Sequence, residues 1–261
     1  MSSSANTPRR HALVAGAGMG IGEGIARRLA ADGYELTLCD RVAAKVVSLA
    51  DELSDAGHSA VAEVVDITDA ARMEEMAAGV RKRVGPEGLH VAVTSVGVFD
   101  DRRSLLETDL DSFKRVLEIN VVGAFLFSKT VAPLLAPGGS MIHIGSINGA
   151  HAGVGLGGYK VSKAALNMMC RCLALELARD PRRIRVNIVA PCWVDTPGER
   201  KVTVALGKPW MLDDPDAEKY IPLGRKQEPS EIAATVSFLC SKEANMITGQ
   251  VIYVDGGVSV R

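Results

Sequence analysis

Tyr159-Lys160-Val161-Ser162-Lys163, with Ser146 thirteen positions earlier, is a set of side chains able to move a proton. Tyr159 and Lys163 stand at i and i+4, a spacing that puts them on one helix face with Cβ atoms roughly 5–6 Å apart. An unperturbed tyrosine titrates near ~10 and is a poor base at neutral pH. A cation within about 4–6 Å favours the phenolate, so Lys163 is expected to lower the Tyr159 pKa. Ser146 closes the apolar run Met141-Ile142-His143-Ile144, which reads as a strand, and offers a hydroxyl to a substrate oxygen. An isolated Tyr-x-x-x-Lys equally describes a surface aromatic beside a solvated lysine, so its weight comes from context.

That context begins at the N-terminal end. His11-Ala12-Leu13-Val14-Ala15 reads as a short buried strand, followed by Gly16-Ala17-Gly18-Met19-Gly20-Ile21-Gly22 and by a helical run from Glu23 to Ala31. Strand, glycine loop and helix is the setting that a dinucleotide-binding loop requires. The glycines let backbone approach a pyrophosphate, and the helix N-terminus supplies free N–H groups and a positive dipole end. Asp40 ends the next apolar run, about twenty residues past the glycines. A carboxylate there accepts hydrogen bonds from an adenosine ribose and repels a 2′-phosphate, which favours NAD over NADP. Arg41 argues the other way, since a guanidinium pairs with that phosphate.

The elements that must position these residues alternate strand and helix. Helices are expected near 43–56, 70–84, 110–135, 159–179 and 230–240, and strands near 59–65, 89–94, 140–144, 185–190 and 250–254. Such alternation specifies a parallel sheet covered on both faces. The expected fold is a single α/β domain over 11–261, a Rossmann-type, doubly wound parallel sheet of about seven strands, behind a polar tail over 1–10. Asp195–Gly224 carries Pro197, Pro209, Pro215 and Pro222 without clear periodicity, and is expected to be a substrate lid.

Composition narrows the class. The 261 residues carry a formal net charge of -1 and are 47% hydrophobic, which gives nucleic acid or an acidic membrane surface no electrostatic footing. No continuous apolar run reaches the length of a membrane span, and the polar N-terminus lacks a signal-peptide core. The five cysteines form no CxxC pair and no metal-ligand spacing, so reduced thiols, no metal and a cytoplasmic location are expected. Cys192 is the cysteine placed nearest the expected cofactor.

Together these residues resemble the short-chain dehydrogenase/reductase family, in its branch of about 250 residues, from about His11 to Gly257. The family's glycine motif corresponds to Gly16, Gly20 and Gly22, with Ala15 in place of the usual threonine. Asp66 matches its adenine-contacting aspartate. Thr94-Ser95-Val96-Gly97 stands where the family has Asn-Asn-Ala-Gly. Asn120, Ser146, Tyr159 and Lys163 match its catalytic tetrad, and Pro191-Cys192 replaces Pro-Gly, with Thr196 in its usual place. Residues and resemblance together assign the cofactor to Gly16, Gly18, Met19, Gly20, Ile21 and Gly22 in the loop, and to Asp40 and Arg41. Asp66, Ile67, Val96 and Gly97 follow, then Tyr159, Lys163, Pro191, Val194 and Thr196.

The resemblance implies hydride exchange between a secondary alcohol or ketone and NAD(H). In it Tyr159 handles the proton, Ser146 holds the substrate oxygen, Lys163 holds the nicotinamide ribose and Asn120 holds a water that links Lys163 to solvent. Substrate contacts are expected from Ser146, Asn148, His151, Tyr159 and Trp193, around a small cyclic or hydroxylated molecule. The resemblance also implies a homotetramer or homodimer built through the two long helices. The stripe Leu166, Met169, Cys170 and Leu173 serves either core or interface. Three rivals stand beside this reading: an NADPH-dependent 3-oxoacyl thioester reductase, a non-catalytic NAD(H)-binding redox sensor or scaffold, and an epimerase or dehydratase that keeps its NAD bound.

Overall fold

Short apolar runs form the strands β1 (Arg10–Ala15), β2 (Tyr34–Asp40), β3 (Ala60–Val64), β4 (Leu89–Thr94), β5 (Leu135–Ile144), β6 (Arg185–Pro191) and β7 (Val251–Val254). They are buried in the middle of the sheet and partly exposed at its two edges, β3 and β7. The computed structural model describes residues 9–100, 103–205 and 220–261. The strands make one seven-stranded, wholly parallel sheet in the order β3-β2-β1-β4-β5-β6-β7. Helices α1 (Gly20–Ala31), α2 (Ala43–Asp55) and α8 (Pro229–Cys240) cover one face. Helices α3 (Ala70–Val84), α5 (Gly123–Val131) and α6 (Gly157–Arg179) cover the other. Strand side chains alternate between the two cores, Leu13 and Ala15 to one, Ala12 and Val14 to the other. Each fully buried leucine or isoleucine contributes about 1.5–3 kcal/mol.

Topology locates the site. The chain winds outward through β2 and β3 and then returns to lay β4 against the other side of β1. Loops leaving the carboxyl ends of β1 and β4 therefore diverge, and ligands bind in the crevice between them in sheets of this kind.

Three elements differ from the sequence reading. Strand β5 starts at Leu135 rather than Ser140, with a register shift opposite Leu89 and Val91 that accommodates Pro137-Gly138-Gly139; Gly138 has φ +75°. The long helix is not uniform. It runs as α4 (Leu110–Leu117), a π-helical turn (Glu118–Val122), α5 and a 3-10 turn (Ala132–Leu134). As a whole, Leu110–Leu134 is long and apolar enough to span a membrane by length and composition, but half of its most apolar window is buried, with Phe127 and Val131 fully enclosed. The start of the expected lid is helical, α7 (Pro197–Ala205), with proline at the first helical position, where its missing N–H costs nothing. Residues 206–219 of that lid, and 1–8 of the expected tail, lie outside the described residues.

Candidate active site

Tyr159 sits in the first turn of α6, buried, with the ring of Phe99 at 4.5 Å between centroids and 41° between planes. Lys163 lies one turn later, with Nζ 5.6 Å from the Tyr159 ring centroid, and Nζ donates to the Ile144 carbonyl at 2.9 Å. Ser146 follows β5 and starts a 3-10 turn (Ile147–Gly149), its Oγ accepting from the Asn148 amide at 3.2 Å. The expected trio is therefore brought together at the carboxyl ends of β4 and β5.

Their electrostatics depart from expectation. Burial pushes the Tyr159 phenol up to about 12, opposed by a hydrogen bond from Ser146 and reinforced by Glu199 and Cys192. Lys163 does not lower it. Its own ammonium is desolvated and held down to about 8. Sequence spacing registers the neighbouring charge but not the loss of water, and here desolvation outweighs attraction. Tyr159 in this state is a phenol carrying its proton.

Asn120 lies in the π turn and is buried. Its Oδ1 accepts from the Val98 amide at 2.8 Å, and its Nδ2 donates to the Val98 carbonyl at 2.9 Å and to Ser162 Oγ at 3.0 Å. The side chain is thus spent on protein partners and braces the segment after β4. The two ring nitrogens of His151 face the Ile147 carbonyl at 2.9 Å and the Ser259 carbonyl at 3.1 Å, tying the C-terminal segment to the cleft. Trp193 packs edge-on against Tyr220, with 6.0 Å between centroids.

Tyr159, Lys163, Ser146, His151 and Trp193 line a cleft of about 610 Å³, which also receives Met19, Gly20, Ile21, Asn148, Pro191, Val194 and Thr196; Asn120 is buried outside this lining. A smaller cleft of about 250 Å³ adjoins it, walled by Gly16, Gly18, Asp40, Arg41, Asp66 and Ile67. Met19, Val96 and Gly97 border both. Gly22 lies beneath them: a Cβ there would come within 1.9 Å of the Gly16 carbonyl oxygen. Asp40 stands at the mouth of the smaller cleft, with Oδ2 accepting from the Gly18 amide at 3.0 Å and Oδ1 from Val42 at 2.9 Å.

Comparison with known proteins decides the family. The family model described as enoyl-(acyl carrier protein) reductase matches residues 16–259. A short-chain dehydrogenase/reductase of Armillaria gallica is 35% identical over 266 residues, covering 99% of each chain. The chain belongs to the short-chain dehydrogenase/reductase family. A galactitol 2-dehydrogenase (L-tagatose-forming) of Cereibacter sphaeroides is 36% identical over 95% of this chain and 94% of that one. Among solved structures, a variant actinorhodin polyketide ketoreductase with NADPH superposes with a TM-score of 0.88, at 31% identity over 97% of this chain and 98% of the other.

Short-chain dehydrogenase/reductases bind a nicotinamide cofactor, and the two clefts fit one. The N-terminus of α1 has no side-chain cap at Met19, leaving its first amides available. Gly16 and Gly20 have φ of +78° and +60°, a conformation that glycine adopts without steric cost. The sequence reading missed Lys45, which stands beside Arg41 on the smaller cleft, together with Val42 and Ile119. It also missed Phe99, Glu199, Val258 and Arg261 on the larger one. Lys45 lies five residues past Asp40, in the first turn of α2, a signal that counting charges near the strand end would have caught.

Proposed function

We propose that this chain interconverts a secondary alcohol and a ketone with NAD(H). The observation that carries the reading is the convergence of Tyr159, Ser146 and Lys163 on the cleft that the uncapped α1 N-terminus also faces. A bound nicotinamide would supply the hydride acceptor or donor. In the reducing direction the neutral Tyr159 gives its phenolic proton to the carbonyl oxygen, and Ser146 donates a hydrogen bond to the charge developing there. Lys163, held near 8, returns a proton to the phenolate. The oxidising direction reverses these transfers.

Asp40 supports NAD, because a carboxylate at that position repels a 2′-phosphate. The relation to galactitol 2-dehydrogenase supports a small hydroxylated substrate, and the limited side-chain bulk from Gly153 to Gly158 supports a ring. Arg41 and Lys45 favour a second reading, an NADPH-dependent 3-oxoacyl thioester reductase, in line with the NADPH-bound neighbour. The exposed apolar residues Val161, Met168 and Leu175 on α6, with Val122 and Phe125 before and on α5, support pairing in a homodimer or homotetramer. Of the stripe left open above, Leu166 and Cys170 are core, with Met169 and Leu173 packed against it.

The test is absorbance at 340 nm with NAD⁺ and NADP⁺ against polyols, cyclic alcohols and 3-oxoacyl thioesters. Faster turnover of secondary alcohols with NAD⁺ is expected. Turnover of thioesters with NADPH alone would establish the second reading.

A further inference from the structure

Helix α6, which carries Tyr159, has an unusual start. Its first residue is Gly157, and the preceding Leu156 is left-handed, with φ 58°, and has no side-chain acceptor. The amides of the first helical turn have no intrahelical partner. Two of them are met from far away in sequence: Asp100, in the segment after β4, accepts from Gly158 N at 2.7 Å and from Tyr159 N at 3.3 Å, both through Oδ2. Asp100 is buried, and its Oδ1 has no hydrogen-bond partner among the described residues. A carboxylate at this helix end also complements the dipole.

The contacts close a ring. Asn120 holds Val98 at both backbone groups, and Phe99 packs on the Tyr159 ring. Asp100 holds the Tyr159 amide, Ser162 Oγ donates to the Tyr159 carbonyl at 2.7 Å, and Asn120 donates to Ser162. Gly97, the residue before Val98, lies against Lys163, whose Nζ would be 3.4 Å from a Cβ there. Segment 97–100 therefore touches the cofactor cleft at one end and the backbone of Tyr159 at the other.

We infer that Asp100 is a positioning residue that sets the height of Tyr159 against the bound substrate oxygen and couples it to Val96 and Gly97, which border both clefts. The inference rests on the reading of Tyr159 as the proton-transfer group. Proton transfer needs heavy-atom distances of about 2.6–3.2 Å, and a misplacement of about 1 Å costs on the order of 10²-fold in rate.

Asp100→Ala should lower kcat about tenfold or more while the cofactor Kd stays close to the parent's. Hydrogen exchange at the Gly158 and Tyr159 amides, followed by mass spectrometry of the cofactor-free protein, should accelerate in the same variant. Asp100→Asn keeps an acceptor and should restore both kcat and protection. Gly158→Ala offers an independent route, since its Cβ would lie 3.0 Å from Asp100 Oδ2 and 3.1 Å from Phe113. It should reproduce the kcat loss while retaining the carboxylate and a helix former, and it serves if Asp100→Ala does not fold. Parental kcat in Asp100→Ala, equal losses in the alanine and asparagine variants, or parental kcat and exchange in Gly158→Ala would each overturn the inference. Tyr159→Phe separates the two layers. If it is inactive and Asp100→Ala is not, Asp100 alone is misassigned. If Tyr159→Phe turns over normally, the proton-transfer reading itself fails.

Discussion

Lys163 is a buried ammonium whose proton should be visible in the stability of the whole chain. Burial lowers its pKa from 10.5 to about 8. The unfolded chain keeps the proton up to 10.5, whereas the folded chain surrenders it near 8, so across that window the unfolded state binds more protons and stability rises with pH. The destabilisation is fully present below pH 8 and gone above 10.5. At about 1.36 kcal/mol per pKa unit it amounts to about 3 kcal/mol. Lys163→Met removes the titrating group at similar length. Urea unfolding of both proteins at fixed concentration, at half-unit steps from pH 7 to 10, isolates it, because every other group is common to the pair. The parent should gain on the variant by about 1.4 kcal/mol for each pH unit above 8, with no differential slope between pH 7 and 7.5. A constant difference across the whole range would refute the buried, proton-surrendering lysine and, with it, the role of Lys163 in returning a proton to Tyr159.

Two further substitutions probe the cofactor cleft. Gly22→Ala places a Cβ 1.9 Å from the Gly16 carbonyl oxygen, backbone against backbone, and should abolish NADH binding in a fluorescence titration; near-parental affinity would contradict the loop assignment. Asp40→Ala removes the carboxylate beside Arg41 and Lys45, and the NAD-to-NADP ratio of kcat/KM should fall on the order of tenfold or more, as expected for loss of a charge-assisted hydrogen bond. An unchanged ratio would show that Asp40 does not read the ribose.

Much of this site was legible because its signals are local. The glycine loop, the i, i+4 pair and the apolar strand runs each declare themselves within a few residues, and parallel topology follows from their alternation. What escaped depends on tertiary packing. Asp100 caps a helix 58 residues away, and nothing in its immediate neighbours announces that partner. The brace that the Asn120 side chain builds between Val98 and Ser162 joins three separate segments and has no local signature. For His151 the sequence leaves a substrate contact and a structural histidine both open, and its bond to the Ser259 carbonyl depends on the C-terminal segment folding back. The direction of the Tyr159 shift was missed for a related reason, since desolvation belongs to the folded interior. The early start of β5 and the helix at Pro197–Ala205 lie in proline- and glycine-containing stretches where periodicity carries no information.

The proposed alcohol–ketone interconversion depends on Tyr159 as the group that transfers the proton. Its most direct test is kcat at 340 nm for Tyr159→Phe beside the parent on the best alcohol of the panel, with NADH affinity measured on both. The expected kcat is about 10²–10⁴-fold lower, with cofactor binding retained. A variant that turns over like the parent would contradict the proposal.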